Sequence, residues 1–175
     1  MVFNLLNSGY FSRNALALQH LLAASPTWQY HCDVDTLATE ILRIEGAQAF
    51  IHTPEASDRE GDEDPRPRAV VLSSQFDRSR VGQGTWRNTG VAFLSIEIDT
   101  PDEFLGDPKS SYAYFISQLD LILGDMEERS GLTAPTGYPY LNMTGWHQID
   151  GPAPAIDDNE NALNFYGVML AIDWV

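Results

Sequence analysis

Residues 107–131, DPKSSYAYFISQLDLILGDMEERSG, carry the most regular hydrophobic pattern of the chain. Asp107 suits the capping position of a helix, Pro108 suits its first turn, and Gly131 suits the residue after its end. Between these signals, apolar side chains recur every three or four residues and therefore share one helical face. This stripe consists of Tyr112, Phe115, Ile116, Leu119, Leu123 and Met126. The stretch predicts a long amphipathic helix that packs across a sheet.

Two segments supply strands for that sheet. Residues 87–99 contain the run VAFL at 91–94, which is apolar on both faces, and continue with Ile96 and Ile98 on one face. Every second residue from 166 to 174 is large and apolar. These patterns predict one largely buried strand and one half-buried strand. We expect the stripe of the long helix to be buried against both.

The rest of the pattern predicts two N-terminal helices and three further strands. We expect helices at 11–24 (ended by Ser25-Pro26) and at about 35–45 (capped by Gly46), strands at 47–53, 68–76 and 140–149, a turn at 82–84 and a loop at 150–160. Strands on both sides of one long helix indicate an α+β fold. The predicted architecture is a mostly antiparallel sheet with the long amphipathic helix and the N-terminal helices packed on one face.

Length and composition indicate a single domain over residues 1–175. An acidic, proline-containing loop is expected at about 54–68, because residues 55–64, EASDREGDED, hold six acids and one base and cannot form a packed face. The lone cysteine, Cys32, excludes an intrachain disulfide and suits a reducing compartment. No apolar run approaches the roughly 18 residues of a membrane span, so we expect no membrane partner.

The net charge of −15 argues against binding of nucleic acid through generic phosphate contacts. It is compatible with a surface that DNA passes without adhering. Solubility alone is an equally simple explanation of the acidic composition.

The sequence contains no arrangement typical of catalysis. His31-Cys32-Asp33 could share a metal, but a turn that leads into a helix is the simpler interpretation, since adjacent residues point apart. Gly82-Gln83-Gly84-Thr85 lacks the lysine and the following helix of a phosphate loop. The acid pairs, such as Asp157-Asp158, lie in expected loops and lack the spacing of a calcium loop. We therefore expect no enzyme activity, no catalytic residue, no cofactor and no metal.

Four aromatic residues beside turns or glycines are candidates for an interaction surface. Aromatic side chains carried on the loops of a rigid sheet are common anchors of protein interfaces. The alternative is that they close the ends of the core. The candidates are Trp86, Tyr138, Tyr140 and Trp146.

The order of these elements resembles the tail terminator, or tail completion, proteins of long-tailed bacteriophages. The likeness covers most of the chain as a pattern of elements and includes no invariant signature. The stretches that carry it are the amphipathic helix leading to Ile51-His52, the Gly84-Thr85-Trp86 turn before Val91–Ile98, the helix Tyr112–Met126, Gly151-Pro152, and the strand Tyr166–Trp174 with its closing Ile-Asp-Trp.

The resemblance implies a homohexameric ring in the virion tail or neck, assembled in the host cytoplasm. Such a ring caps the tail tube, stops its polymerisation and joins the tail to the head connector. Its partners would be its own copies, the tube protein, the connector protein and DNA that passes without specific binding. Three alternatives stay open: a head-completion or stopper protein of the neck, a small intracellular protein-binding module, and an enzyme with loop-borne residues that no motif reveals.

Overall fold

Four α-helices and five strands make up the residues that the structure describes. This computed structural model describes residues 10–34, 40–52, 66–133, 140–156 and 162–175. The elements are α1 (Tyr10–Ala23), α2 (Pro26–His31), α3 (Glu40–Gln48), β1 (Ile51–His52), β2 (Arg68–Gly82), β3 (Thr85–Asp99), a 3₁₀ turn (Asp102–Phe104), α4 (Pro108–Arg129), β4 (Met143–Ile156) and β5 (Ala162–Trp174).

The five strands form one sheet in the order β1–β2–β3–β5–β4. Only β1 and β2 run parallel, and the other three pairs are antiparallel. In the central pair, Leu94 lies opposite Leu170 and Ile96 lies opposite Val168. The predicted α+β fold with a mostly antiparallel sheet is confirmed.

One face of the sheet carries the core. Side chains alternate along a strand, so one set of every second residue on β3 and β5 points to the helices. The buried members are Ala92, Leu94, Ile96, Ile98, Tyr166, Val168, Leu170, Ile172 and Trp174. They join buried residues of all the longer helices in one cluster. The half-buried strand predicted over residues 166–174 is therefore confirmed. On β3, predicted as largely buried, Val91 and Phe93 are only half-buried, so a single face of that strand is in the core.

The buried face of α4 is rotated relative to the predicted stripe. Phe115, Leu119, Leu123 and Met126 are buried as expected, but Tyr112 is 45% exposed. Ile116 is only half-buried, whereas Ser111 and Ile122 are buried, so the centre of the contact lies one residue away. Tyr112 and Ile116 lie at the edge of the predicted stripe. Spacing alone assigns more residues to this stripe than the core actually buries. The prediction that Tyr112 lies in the core was wrong, whereas Ile116 is half-buried and packs against the core.

The segment Ser25-Pro26 both ends α1 and begins α2, a helix that the sequence pattern did not predict. Ser25 Oγ accepts a hydrogen bond from the Trp28 N–H at 3.1 Å, and Pro26 fills the first helical position. Trp28 is fully buried. Serine followed by proline can begin a helix as well as end one. The short helix contributes its buried tryptophan to the core.

Several predicted boundaries differ from the structure. Gly46 lies inside α3 rather than after it, and the strand expected at 47–53 is limited to Ile51–His52. Residues 150–156, predicted as loop, belong to β4. β4 is an edge strand with four register irregularities, so Pro152 and Pro154 interrupt no interior ladder. Residues 35–39, 53–65 and 157–161, with most of the acidic loop, lie outside the described residues.

Leu119→Ala is expected to lower the free energy of unfolding by about 2–5 kcal/mol, because it leaves a cavity in the core. Leu119 is 6% exposed, whereas Leu121 on the same helix is 55% exposed. Leu121→Ala is the matched control and should change that free energy by less than about 0.5 kcal/mol. Urea unfolding of both variants measures the difference. Equal losses would contradict the orientation of α4.

Asp125 of α4 ties the start of α2 to the long helix. Its Oδ2 accepts a hydrogen bond from Ser25 Oγ at 2.6 Å and another from the Thr27 N–H at 3.0 Å. Burial acts to raise the pKa of Asp125, but these hydrogen bonds and the nearby charge of Arg129 outweigh it, so the pKa lies below its ordinary value. The ionised carboxylate is therefore the form that stabilises this junction.

Ser25→Ala should lower the free energy of unfolding by about 0.5–2 kcal/mol at neutral pH, since a helix cap and the bond to Asp125 are both lost. Because Asp125 has a lowered pKa when folded, its contribution is complete above the unfolded pKa of about 3.9. It is lost as the pH falls through the lower folded value. The stability gap between wild type and variant should therefore narrow below about pH 4. A gap that widens in acid would contradict the assigned role of Asp125.

Candidate interaction surface

A two-stranded arm extends beyond the rest of the sheet. The last row that joins β2, β3 and β5 contains Phe76, Gly90 and Trp174. Beyond it, residues 77–89 of β2 and β3 pair only with each other, and we call this ribbon the arm. The turn at its tip has Gly84 at φ +80°, a conformation that favours glycine. The predicted turn is confirmed, but β2 runs six residues further than the predicted end at residue 76.

One face of the arm combines positive charge with an aromatic ring. Arg80 lies directly opposite Trp86 in the ladder, and Arg78 shares the face of Arg80 because side chains alternate. The Arg78 guanidinium stands 4.8 Å from the centre of the Trp86 ring. Trp86 is 51% exposed, and Val81 near the tip is also exposed. The arm thus presents the residue types that are enriched in protein interfaces.

The arm differs in charge from the rest of the molecule. Its 13 residues contain Arg78, Arg80 and Arg87 with a single acid, Asp77, and so carry +2. The other 162 residues carry −17, which makes up the net charge of −15. A surface so strongly divided in charge is suited to contacts with an acidic partner.

A cleft of about 840 Å³ lies between the arm, α1, the segment 140–142 and the end of β5. Its apolar lining comes from Leu16, Ala17, Val81, Trp86, Leu141 and Trp174. Three polar atoms of lining residues are buried without a hydrogen-bond partner: Asn14 Nδ2, Asn88 Oδ1 and Trp174 Nε1. Buried polar groups normally have partners. These three atoms lack exposed surface, so they are not contact points for a ligand in this conformation of the cleft.

The charged groups of the cleft are cationic. Arg13 and Arg87 line it, and none of its lining residues in the described part of the chain is acidic. His20 also lines it, with Nδ1 2.8 Å from the Gln48 amide nitrogen. Burial lowers the pKa of His20, so the ring is neutral at physiological pH. The cleft favours an uncharged or acidic occupant.

The four aromatic candidates have different outcomes. Trp86 is exposed on the arm, and Trp146 is exposed on β4, where its Nε1–H donates to Glu127 Oε1 at 2.9 Å. Tyr140 is only 6% exposed and belongs to the core cluster, so it closes the core instead of serving as a surface anchor. Tyr138 lies outside the described residues. The structure brings Trp86 and Tyr140 to the same cleft, which Trp146 does not line.

Cys32 caps the end of α2 and forms a turn with Asp33. Residues 35–39, between this turn and α3, lie outside the described residues, so whether the turn leads directly into that helix stays a prediction. Cys32 is buried, and burial raises the pKa of its thiol to about 12, so the thiol is protonated and unreactive. Burial also lowers the pKa of His31, whose Nε2 lies 3.1 Å from Gln118 Oε1. Across the described ranges, no three His, Cys, Asp or Glu side chains are grouped to hold a metal ion.

In the described part of the chain, no helix has the length and apolar character needed to cross a membrane. A scan against models of protein families found no match for this chain, and a search of curated proteins found none either.

Two of the aromatic candidates should respond differently to truncation. Tyr140→Ala is expected to lower the free energy of unfolding by about 3 kcal/mol or more, because a buried ring is lost from the core. Trp86→Ala should change it by less than about 0.5 kcal/mol, because the exposed ring belongs to the arm. Thermal unfolding of the two variants in parallel measures the contrast. A large loss for Trp86→Ala would show that the arm is part of the core.

Proposed function

We propose that this chain is a structural virion protein that forms a ring of six on the tail tube of a long-tailed bacteriophage. The ring stops polymerisation of the tube and joins the tail to the head connector. The single observation that carries the proposal is the arm of residues 77–89, which leaves the body of the sheet and presents Trp86 and two arginines on one face.

The arm supports self-assembly because it differs in charge from the rest of the subunit. A closed ring requires a heterologous contact, in which one patch binds a different patch of the next copy. A projecting ribbon that docks on a neighbouring body fulfils this requirement. Its aromatic and arginine side chains are the types on which interfaces depend most.

The charge distribution supports passage of DNA without binding. A body of −17 repels phosphate, so a channel lined by it lets the duplex move without adhering. The partners of the proposed ring are its own copies, the tube protein and the connector protein. A head-completion or stopper protein of the neck would share these properties. Binding to purified tail tubes, expected of the terminator and not of the stopper, separates the two.

A small protein-binding module is the second candidate. The cleft beside α1, with its mainly apolar lining and its Arg13 and Arg87 side chains, favours it because such a site can hold an extended peptide. A binding module of this kind would act as a monomer or dimer.

Native mass spectrometry and tube assembly test the proposal. The purified 19.5 kDa chain should form hexamers, alone at high concentration or on the ends of tail tubes, and should limit tube length when added during polymerisation. Trp86→Ser is expected to weaken both effects at least tenfold, because hot-spot aromatics contribute about 2 kcal/mol or more. Leu132→Ser, at an apolar side chain that is 55% exposed, serves as a control for general surface effects. A chain that stays monomeric at all concentrations and ignores tubes would refute the ring and favour the binding module.

A further inference from the structure

The arm is cationic, whereas the protein as a whole is acidic. Copies that each carry −15 repel one another, so a ring needs local attraction strong enough to close. The face of the arm with Arg78, Arg80 and Trp86 is the obvious source of that attraction. Its partner should be acidic, should expose an apolar side chain, and should be shallow enough to receive a flat ribbon.

The outer face of α4 has these three properties. Asp120, Glu127 and Glu128 are exposed there, and no basic residue occurs between positions 113 and 128. Leu121 is exposed beside them. A Cβ added at Gly124 would meet no atom within 4 Å, so the surface between the acids is low and open. The opposite face of the same helix is held in the core by Phe115 and its neighbours, which fixes the direction of the acidic face.

We propose that the arm of one copy docks on the outer face of α4 of the next copy. Arg78 and Arg80 pair with Asp120 and Glu128, while Trp86 covers Leu121. Glu127 already accepts the hydrogen bond from Trp146 and stays at the rim of the contact. The contact joins two different patches, so it repeats from copy to copy and closes into a ring at a fixed rotation.

Nucleic acid is the other class of ligand that arginines attract, but the observations favour a second copy. A duplex that touched the +2 arm would also approach the −17 body, and repulsion would offset the few phosphate contacts. Moreover, Trp86 and Leu121 match each other as apolar surfaces, whereas a phosphate backbone offers no such match.

Charge reversal tests the contact, which rests on the proposed ring. Arg78→Glu/Arg80→Glu and Asp120→Lys/Glu128→Lys should each weaken self-association at least about tenfold, since like charges then face each other. The chain that carries all four changes should recover most of the lost affinity. Asp102→Lys/Glu103→Lys, an exposed acidic pair in the 3₁₀ turn before α4 and outside the proposed contact, is the control and should not reproduce the loss. Sedimentation at fixed salt concentration measures all four variants.

The possible results distinguish failure of the proposed arm–α4 contact from failure of the proposed ring. Wild-type rings that tolerate every reversal would refute the contact and leave the ring intact. A wild-type chain that never associates would refute both. Arm-dependent binding of duplex DNA, with self-association unaffected by the reversals, would show that nucleic acid is the partner of the arm.

Disulfide trapping provides a direct check of the geometry. A chain with Arg80→Cys/Leu121→Cys should form ladders of linked copies under mild oxidation, because each arm reaches the next α4. The single variants can form dimers at most, and Arg80→Cys/Asp102→Cys should form no ladder. Cys32 does not interfere, because it is buried and burial raises the pKa of its thiol to about 12. If the control pair forms a ladder and Arg80→Cys/Leu121→Cys does not, the arm contacts a surface of the next copy other than α4.

Discussion

The packing of the Trp174 indole on Gly90 determines where the sheet ends and where the arm begins. A Cβ at residue 90 would lie 2.5 Å from the Trp174 ring and 2.1 Å from the Gln75 carbonyl oxygen, so only glycine allows the close approach. Phe76, with its ring centre 6.1 Å from that of Trp174, completes this cluster. On one side of it, three strands carry the core; on the other, β2 and β3 continue as a pair. The core and the interaction surface therefore share two continuous strands.

This continuity explains how a ribbon with few contacts of its own can stay ordered. An isolated two-stranded hairpin is marginal in water. Here β2 and β3 continue into the arm from the core, where Ala92, Leu94 and Ile96 are buried, with one register shift between Ser73 and Gln75. A partner that binds a preordered ribbon avoids much of the entropy that ordering would require. Rigid support from the core is thus what makes a small, exposed surface effective for assembly.

The sequence determines the central elements because their patterns are strong and redundant. The caps of α4 agree with its apolar period, and Tyr166–Trp174 alternates over its whole length, so both were predicted correctly. The weaker features depend on tertiary contacts. The rotation of α4 follows from which residues meet the sheet, and α2 forms because Trp28 is buried and Asp125 holds its first turn. At the site, exposure of Trp86 was predictable from the adjacent Gly84 turn. Burial of Tyr140 was not, because the same local signal accompanies anchors and core residues alike.

The arm itself had a signal in the sequence, but one that a hydrophobic pattern does not detect. Four of the five residues 77–81, DRSRV, are polar. Their hydrophobic pattern therefore does not predict that the strand continues. The signal is the clustering of basic residues: three of the ten in the whole chain fall within 13 positions around one turn. In a protein of net charge −15, such clustering concentrates attraction at one projecting point and leaves repulsion everywhere else. That asymmetry favours a single directed contact over non-specific aggregation, and a single directed contact is the requirement for a ring.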